Sequence, residues 1–489
     1  MNTLTILGGG PAGYPAAFLA ADLGMDVTLV DPAPALGGTC LHRGCIPSKT
    51  LLHAARELAA AGAPEPGGHD LATCDLRLGG AGGPPCAALL ERFRARKAEA
   101  VSALAAGLDR LAAARKIRRI RARAAFAAPG RLVLDGPGGE LPCDRLLVAT
   151  GSEPVVPSAF PAGHPDLWTS TEALELPCIP DRLLVVGGGA IGLELGTLYA
   201  ALGSRVTLVE ALPALLPGTD RDLLVPLLKR LRAAFEALYT GTVATDIEPL
   251  SGGGFRVTLA PAPGRPAADG FPRTETYSTI LVAAGRRPAL DALHPGRAGL
   301  ALDDRGFLLP SPDGTVRPAG DCASAPLLAH KATHEARLVA ARFAADAGCP
   351  GAAEALADLS AASGTVPSVV YTDPELAVCG LSETAAKAAG IPCAAAKCHW
   401  AGVGRAQAIG RTDGLTKWIY DPGTHRILGA AIVGAGAGDL LGEALLAIEC
   451  KATLRDVARA IHPHPTLSET WAEAAEAPFF PVHALPRRR

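Results

Sequence analysis

The chain opens with a short apolar run at residues 4–7, followed at once by a cluster of glycines. An apolar run bounded by turn residues reads as a buried parallel strand. An apolar helical stretch follows at 16–23, then a second strand-like run at 26–30 that ends on Asp31. The same order returns later: an apolar run at 182–186, glycines, a helix, a run at 205–209, then Glu210. Between the two units, a Gly-, Ala- and Pro-rich stretch at 61–85 reads as a surface loop. Residues 89–116 carry helical periodicity with many basic positions and read as a long, solvated helix. Short runs at 132–134, 146–148, 255–259 and 279–282 read as strands, with a Pro/Ala-rich loop at 261–273. A strand at 316–321 is expected to end in Gly320-Asp321, and a helix covers the residues up to about 339. From about 363 the pattern changes. Strands at 366–371, 377–380, 415–420 and 427–433, with helices at 439–449 and 454–460, suit an α+β domain. The expected fold class is α/β, with two Rossmann-like dinucleotide-binding domains and a C-terminal α+β domain.

The glycines give the repeated unit its chemistry. Gly8-Gly9-Gly10-Pro11-Ala12-Gly13 and Gly187-Gly188-Gly189-Ala190-Ile191-Gly192 both match G-x-G-x-x-G. Gly8 and Gly187 allow the tight turn, and Gly10 and Gly189 let the backbone approach a pyrophosphate. Gly13 and Gly192 let helix and strand pack closely. Asp31 and Glu210 stand at the same interval after the last glycine and can accept from ribose hydroxyls. One such motif alone is weak; strand, glycines, helix, strand and acid in order are not. Two units imply two dinucleotides. Glu210, followed by the neutral Ala211-Leu212-Pro213, favours NAD over NADP: a 2′-phosphate would be repelled and finds no Arg immediately after the acid.

Just after the first unit stands Gly37-Gly38-Thr39-Cys40-Leu41-His42-Arg43-Gly44-Cys45-Ile46-Pro47-Ser48-Lys49. Gly44 permits a turn, and Pro47 suits an early helical position. A thiol at a helix N-terminus is favoured as thiolate, and Arg43 would push the same way. Two buried structural thiols or a pair of metal ligands are the alternatives. Metal sites pair cysteines more closely and need further ligands nearby, so no metal is expected. Twelve cysteines in a cytosolic chain are expected to be reduced thiols apart from a catalytic pair, with Cys74, Cys178 and Cys349 inert.

This run resembles the redox-active segment of the pyridine nucleotide-disulfide oxidoreductases. Its Cys-Ile-Pro-Ser-Lys ending is most similar to the branch that oxidises protein-bound dihydrolipoamide. The resemblance covers nearly the whole chain. It implies that Cys40 and Cys45 form a redox disulfide beside FAD, and that the second unit binds NAD. It pairs Lys49 with Glu194 near the flavin. It places Thr39, Thr150, Gly151 and Asp321, and the backbone of Leu328, Ala329 and His330, at FAD, and Gly285 at the return from the NAD domain. Near the C-terminus, Ile461-His462-Pro463-His464-Pro465-Thr466-Leu467-Ser468-Glu469 resembles the family signature whose catalytic pair is His464 with Glu469. A loop histidine, or His462 and His464 as metal ligands, is the alternative there; His462 receives no chemical role. The implied domains are 1–151 for FAD, 152–282 for NAD, 283–362 for the return to FAD, and 363–489 for dimerisation. A homodimer is implied, because one subunit supplies the cysteines and the other His464. The implied partners are a lipoyl domain and the E2 core of a 2-oxo acid dehydrogenase complex.

Composition adds exclusions. A net charge of −2 and 4% aromatic residues argue against nucleic acid as the main partner. The N-terminal residues have no basic head or long apolar stretch, and no segment reads as a membrane span. A cytoplasmic protein is expected. Other readings within the family fit less well. Glutathione reductase usually carries Lys where Ser48 stands. Mercuric reductase ends in adjacent cysteines, whereas this chain ends Pro486-Arg487-Arg488-Arg489. A soluble transhydrogenase lacks the active disulfide. A non-catalytic flavin-fold binding subunit would not need Cys40, Cys45, Lys49, Glu194, His464 and Glu469 together. The chain departs from the family at His42 and Arg43, which replace Asn-Val, and at Asp31, where Glu is commoner.

Overall fold

The computed structural model describes residues 2–61, 84–135, 139–265 and 270–480. Most of the stretch read as a loop at 61–85, Cys74 and the C-terminal arginines lie outside the described residues.

The first glycine unit builds a parallel sheet. Its order is Val316–Pro318, Leu146–Val148, Thr3–Leu7, Asp26–Val30, Arg118–Ile120. The helices Gly13–Asp22 and Ala329–Asp346 pack against each other through small buried residues, Ala16, Ala17, Ala20, Ala336 and Ala340. Alanines there let two helices lie close over the glycine turn. The second unit builds another parallel sheet, ordered Ala237–Thr240, Arg205–Glu210, Arg182–Val186, Thr279–Val282, Leu167–Trp168. The chain passes between the two sheets twice, side by side, as the antiparallel pair Ser152–Pro154 and Arg286–Pro288. The C-terminal sheet is antiparallel, ordered Ser368–Val370, Glu375–Gly380, Ile427–Gly434, Leu415–Tyr420, Ala394–His399. It buries Trp400, Trp418 and Trp471.

The helix Cys45–Ala61 lies where these parts meet. Its Leu51, Leu52 and Ala55 share one apolar core with Leu193 and Leu195 of the second unit and Val370 and Leu376 of the C-terminal sheet. A second junction is polar. Lys417, 1% exposed on the strand Leu415–Tyr420, lies 2.9 Å from Asp220, 3.1 Å from Asp222 and 2.9 Å from Glu383. Asp220 also accepts from the backbone N–H groups of Glu383 and Thr384, capping the helix Glu383–Ala388 from another part of the chain.

Some elements differ from the sequence reading. The strand expected to run through 321 stops at Pro318. Proline cannot donate to the ladder, and Gly320 turns the chain at φ +76°, so Asp321 sits in the short 3-10 turn Gly320–Cys322. The loop read at 261–273 gives way to a further strand, Arg273–Tyr277, which pairs with Phe255–Pro261. The Ala-rich segment Ala394–His399 is also a strand, held by pairing with Leu415–Tyr420 against its weak β preference. The helix Arg221–Ala234 contains Pro226, a breaker signal that tertiary packing overrides.

Candidate active site

The two glycine turns repeat one geometry. Gly8 and Gly187 have φ of +102° and +114°. A Cβ on Gly13 would lie 1.7 Å from the Gly8 carbonyl oxygen, and one on Gly192 would lie 2.0 Å from that of Gly187. Only glycine allows that approach. At Gly189 a Cβ would meet open space, and at Gly10 the nearest atom would be 3.7 Å away. Neither following helix has a side-chain N-cap. Each therefore presents uncapped N–H groups over a roomy turn, an arrangement that fits the pyrophosphate of a dinucleotide.

Both strand-end acids brace these turns. Asp31 accepts from the N–H groups of Gly9 at 2.5 Å and Ala33 at 2.7 Å. Glu210 accepts from Gly188 and Leu212, each at 2.7 Å. A carboxylate oxygen has two acceptor sites, so each acid can hold its turn and still accept from a ribose hydroxyl.

The cysteine run docks onto the first turn. The Gly37 N–H donates to the Gly9 carbonyl at 2.8 Å. A Cβ on Gly38 would come within 2.5 Å of the Gly10 Cα, so glycine is required there as well. Thr39 and Cys40 lie on the short helix Gly38–Arg43, and Cys45 is the first residue of Cys45–Ala61. Both thiols are free and half-buried. A hydrogen bond with Cys45, together with burial, pushes the Cys40 thiol up. The same bond, from the Cys45 side, lowers that thiol to about 7; burial opposes the shift and the Lys49 cation reinforces it. Arg43, expected to lower it, is instead exposed, and His42 points back to the Leu36 carbonyl at 2.9 Å.

Lys49 and Glu194 meet. Lys49 Nζ lies 2.8 Å from Glu194 Oε2, and Glu194 is buried. The other Glu194 oxygen accepts from the Tyr371 N–H at 3.0 Å, while Lys49 Nζ stands 4.5 Å from the Tyr371 ring centroid. Arg56, on the same helix as Lys49, grips that loop through the carbonyls of Tyr371 and Thr372 and the Glu375 carboxylate. Tyr371 and Arg56 escaped the sequence reading. Their contacts span hundreds of residues, and the only local signal was the turn Tyr371-Thr372-Asp373-Pro374.

Beside the first glycine turn, after the strand Leu146–Val148, Thr150 has a buried hydroxyl oxygen with no hydrogen-bond partner. It precedes Gly151, at φ +75°. Asp321 Oδ2 accepts from Ser152 at 2.5 Å, and Ser152 in turn accepts from Arg286 at 2.8 Å. Gly285, at φ +121°, directs the chain into that pair. Glu335 holds the turn carrying Asp321 by accepting from the Gly320 N–H and the Ser324 hydroxyl, each at 3.0 Å. Leu328 caps the helix that begins at Ala329, and the His330 ring bonds to the Pro367 carbonyl at 2.7 Å. The orphaned Thr150 hydroxyl and the open glycine turn fit a dinucleotide lying across this sheet.

The C-terminal pair is also formed. His464 Nδ1 lies 2.9 Å from Glu469 Oε1, and Glu469 Oε2 accepts from the Thr466 N–H at 2.7 Å. Burial raises the Glu469 carboxyl, but the Thr466 N–H and both histidines outweigh it and hold the group low. The His464 side chain is 77% exposed.

Residues 2–336 match the family model of pyridine nucleotide-disulphide oxidoreductases, and residues 366–475 match the dimerisation domain of those proteins, which supports a homodimer. A dihydrolipoyl dehydrogenase of Vibrio parahaemolyticus is 36% identical over 99% of this chain and 97% of its own. One of Thermus scotoductus is 40% identical over 97% of this chain and 96% of its own. The crystal structure of LpdA from Mycobacterium tuberculosis superposes with a TM-score of 0.80 at 25% identity, covering 97% of this chain and 99% of that one. With the glycine turns, free cysteine pair and dimerisation fold in place, the chain belongs to the pyridine nucleotide-disulphide oxidoreductases and is a flavoprotein oxidoreductase of sulfur groups whose cofactors are FAD and NAD.

Proposed function

We propose that this protein oxidises protein-bound dihydrolipoyl groups to the lipoyl disulfide and delivers the electrons to NAD, as the E3 component of a 2-oxo acid dehydrogenase complex. The observation that carries this reading is Cys45 at a helix N-terminus beside the Lys49–Glu194 pair, with the free Cys40 thiol hydrogen-bonded to it. The lipoyl-bearing partners, the E2 core and a cytoplasmic setting belong to the same proposal. Among the described residues no helix is long and apolar enough to cross a membrane. FAD is assigned to 1–151 with 283–362, NAD to 152–282, and dimerisation to 363–489.

The chain's own residues explain the thiol chemistry. With Nδ1–H turned to Glu469, the other nitrogen of His464 carries the lone pair and takes a proton from a substrate thiol. That thiolate attacks the sulfur of Cys40 in the Cys40–Cys45 disulfide. A mixed disulfide forms, and Cys45 leaves as thiolate. The second substrate sulfur then attacks the first, the lipoyl disulfide closes, and Cys40 is released and protonated. Two electrons have moved from the substrate dithiol to the enzyme pair. The helix N-terminus and Lys49 stabilise the departing Cys45 thiolate. Bound FAD and NAD supply the onward path for that electron pair. Lys49, Glu194 and Tyr371 shape the place where it leaves.

The test is an assay of the purified, FAD-containing protein with dihydrolipoamide and NAD. Rapid NAD reduction is expected. Turnover of glutathione disulfide or mercuric ion instead, with none of dihydrolipoamide, would overturn the reading.

The cysteines of one subunit work with His464 of the other in this reading. Ile461, three residues before His464, is 100% exposed, an apolar side chain suited to cover by a second copy. Ile461→Asp would bury an unpaired charge there. It is expected to weaken dimerisation at least about tenfold and to lower lipoamide turnover in parallel. Sizing and assay across a dilution series check this.

A further inference from the structure

The segment carrying His464 holds a second histidine that the thiol chemistry does not use. The His462 side chain is 9% exposed, in contrast to that of His464. Its Nδ1 lies 2.9 Å from the carbonyl oxygen of Ala460, and its Nε2 lies 2.8 Å from Glu443 Oε1. A carbonyl and a carboxylate both accept. A neutral imidazole has one N–H, so one of its lone pairs would face a lone pair across a hydrogen-bonding distance. Only the imidazolium satisfies both contacts.

The surroundings agree. Ala460 closes the helix Leu454–Arg459, and a cation is favoured at a helix C-terminus. Burial alone would lower the His462 ring, but Glu443, the Ala460 carbonyl and Glu469 outweigh it and raise it above the ordinary imidazole range. The other charged groups around the ring have partners of their own, Glu469 being the exception in that it also acts on the ring. On Ala437–Glu449, Asp439 acts on Tyr371 and Glu449 bonds to Ser363. On Leu454–Arg459, Arg459 pairs with Asp456 at 2.5 Å, and Arg455 lies over the Phe479 ring. On Glu469–Glu476, Glu469 acts on both histidines, and Glu473 accepts from the Cys398 thiol.

We propose that His462, held as an imidazolium between Glu443 and the Ala460 carbonyl, is a positioning residue whose fixed positive charge sets the pH range over which the His464–Glu469 pair acts as a base. A standing cation beside the pair disfavours a second imidazolium, so the pair stays able to take a proton further into acid. This inference rests on the reading of His464 as the base in thiol oxidation.

The experiment uses the full-length, FAD-loaded dimer. His462→Gln removes the cation and keeps a donor. Glu443→Gln leaves the histidine in place and removes the anion that enforces its charge. His462→Gln is expected to move the acid limb of kcat/KM for dihydrolipoamide to higher pH by about half a unit or more, and Glu443→Gln, which takes away the anion together with any charge the ring loses, to move it less. Selective 15N-histidine NMR of the wild-type dimer should show one ring that keeps two N–H protons above the pH at which an ordinary imidazole loses one, a signal lost in His462→Gln. An acid limb of His462→Gln that superposes on wild type would overturn the proposal. So would a His462 ring that is neutral at about pH 7. If His462→Gln fails to fold, the wild-type spectrum and the loss of its doubly protonated ring in Glu443→Gln still decide. His464→Gln, run alongside, separates the two ideas: undiminished lipoamide turnover there would sink the assignment of the base itself.

Discussion

Cys45→Ser is expected to lower dihydrolipoamide turnover on the order of a thousandfold or more while leaving FAD bound. The expectation follows from where Cys45 stands. It is the first residue of its helix, hydrogen-bonded to Cys40 and under the field of Lys49, and its thiol is drawn down to about 7. An ordinary thiol titrates near 8.5, so at neutral pH Cys45 is a far better leaving group in disulfide exchange. Serine cannot form the disulfide at all. The glycine turn, Thr150 and Asp321, the residues proposed to hold the flavin, do not depend on that sulfur, so FAD absorbance should survive purification. The depressed thiol also carries a pH signature. The thiolate is present above about pH 7 and lost below it. Alkylation of the reduced enzyme should therefore accelerate as pH rises through that value, and Lys49→Met should move the inflection upward. Full turnover in Cys45→Ser would remove the cysteine pair from the reaction. An inflection that stays in place in Lys49→Met would remove Lys49 as a cause.

Much of this site was legible in the order of residues, because its parts are local. Strand, glycines, helix, strand and acid must follow one another closely for a backbone turn to open onto a pyrophosphate, and both copies form that geometry. The Cys45 helix start was also local, signalled by Gly44 and Pro47. Contacts that join distant stretches could not be read this way. Nothing near Glu194 announces that Tyr371 will donate to it, nor near Lys49 that the Tyr371 ring will lie beside it. The strand Ala394–His399 was missed because its alanines favour helix and only its neighbour holds it extended. The strand leading to Asp321 was read too long, since the pattern of apolar residues does not register what Pro318 and Gly320 do to a ladder. The separate behaviour of His462 and His464 was invisible for the same reason. Their difference lies in Glu443, nineteen residues before His462 on the helix Ala437–Glu449.

The polar junction around Lys417 should prove as sensitive as the redox site, in stability rather than in rate. Lys417→Met keeps most of the side chain's volume and removes its charge, leaving Asp220, Asp222 and Glu383 facing one another. Breaking a buried ion pair from one side costs about 3–5 kcal/mol, because the remaining charges lose their partner after being desolvated. Here Lys417 is shared by three carboxylates, of which Asp222 also meets Lys397 and Glu383 also meets Lys387, so Asp220 depends on Lys417 most. The acids also hold structure. Asp220 precedes the helix Arg221–Ala234 and caps Glu383–Ala388, so it ties the second parallel sheet to the C-terminal one. The sign of the pH dependence follows from the shifts. Burial opposes the charged forms of Asp220 and Asp222, yet Lys417 and its neighbours hold both carboxyls, and Glu383, below their usual range. Groups lowered on folding contribute stability above their unfolded values, and that contribution is lost as pH falls through the folded ones. Lys417 itself is raised, burial notwithstanding, so its share persists until pH climbs past the ordinary lysine range. The deficit of Lys417→Met should accordingly be largest at neutral pH and shrink in acid, where the orphaned carboxylates take up protons. Denaturant unfolding followed by tryptophan fluorescence would report it, since Trp418 is the next residue and is fully buried. A midpoint equal to wild type at neutral pH, or a deficit that grows as pH falls, would show that the junction does not depend on the Lys417 charge.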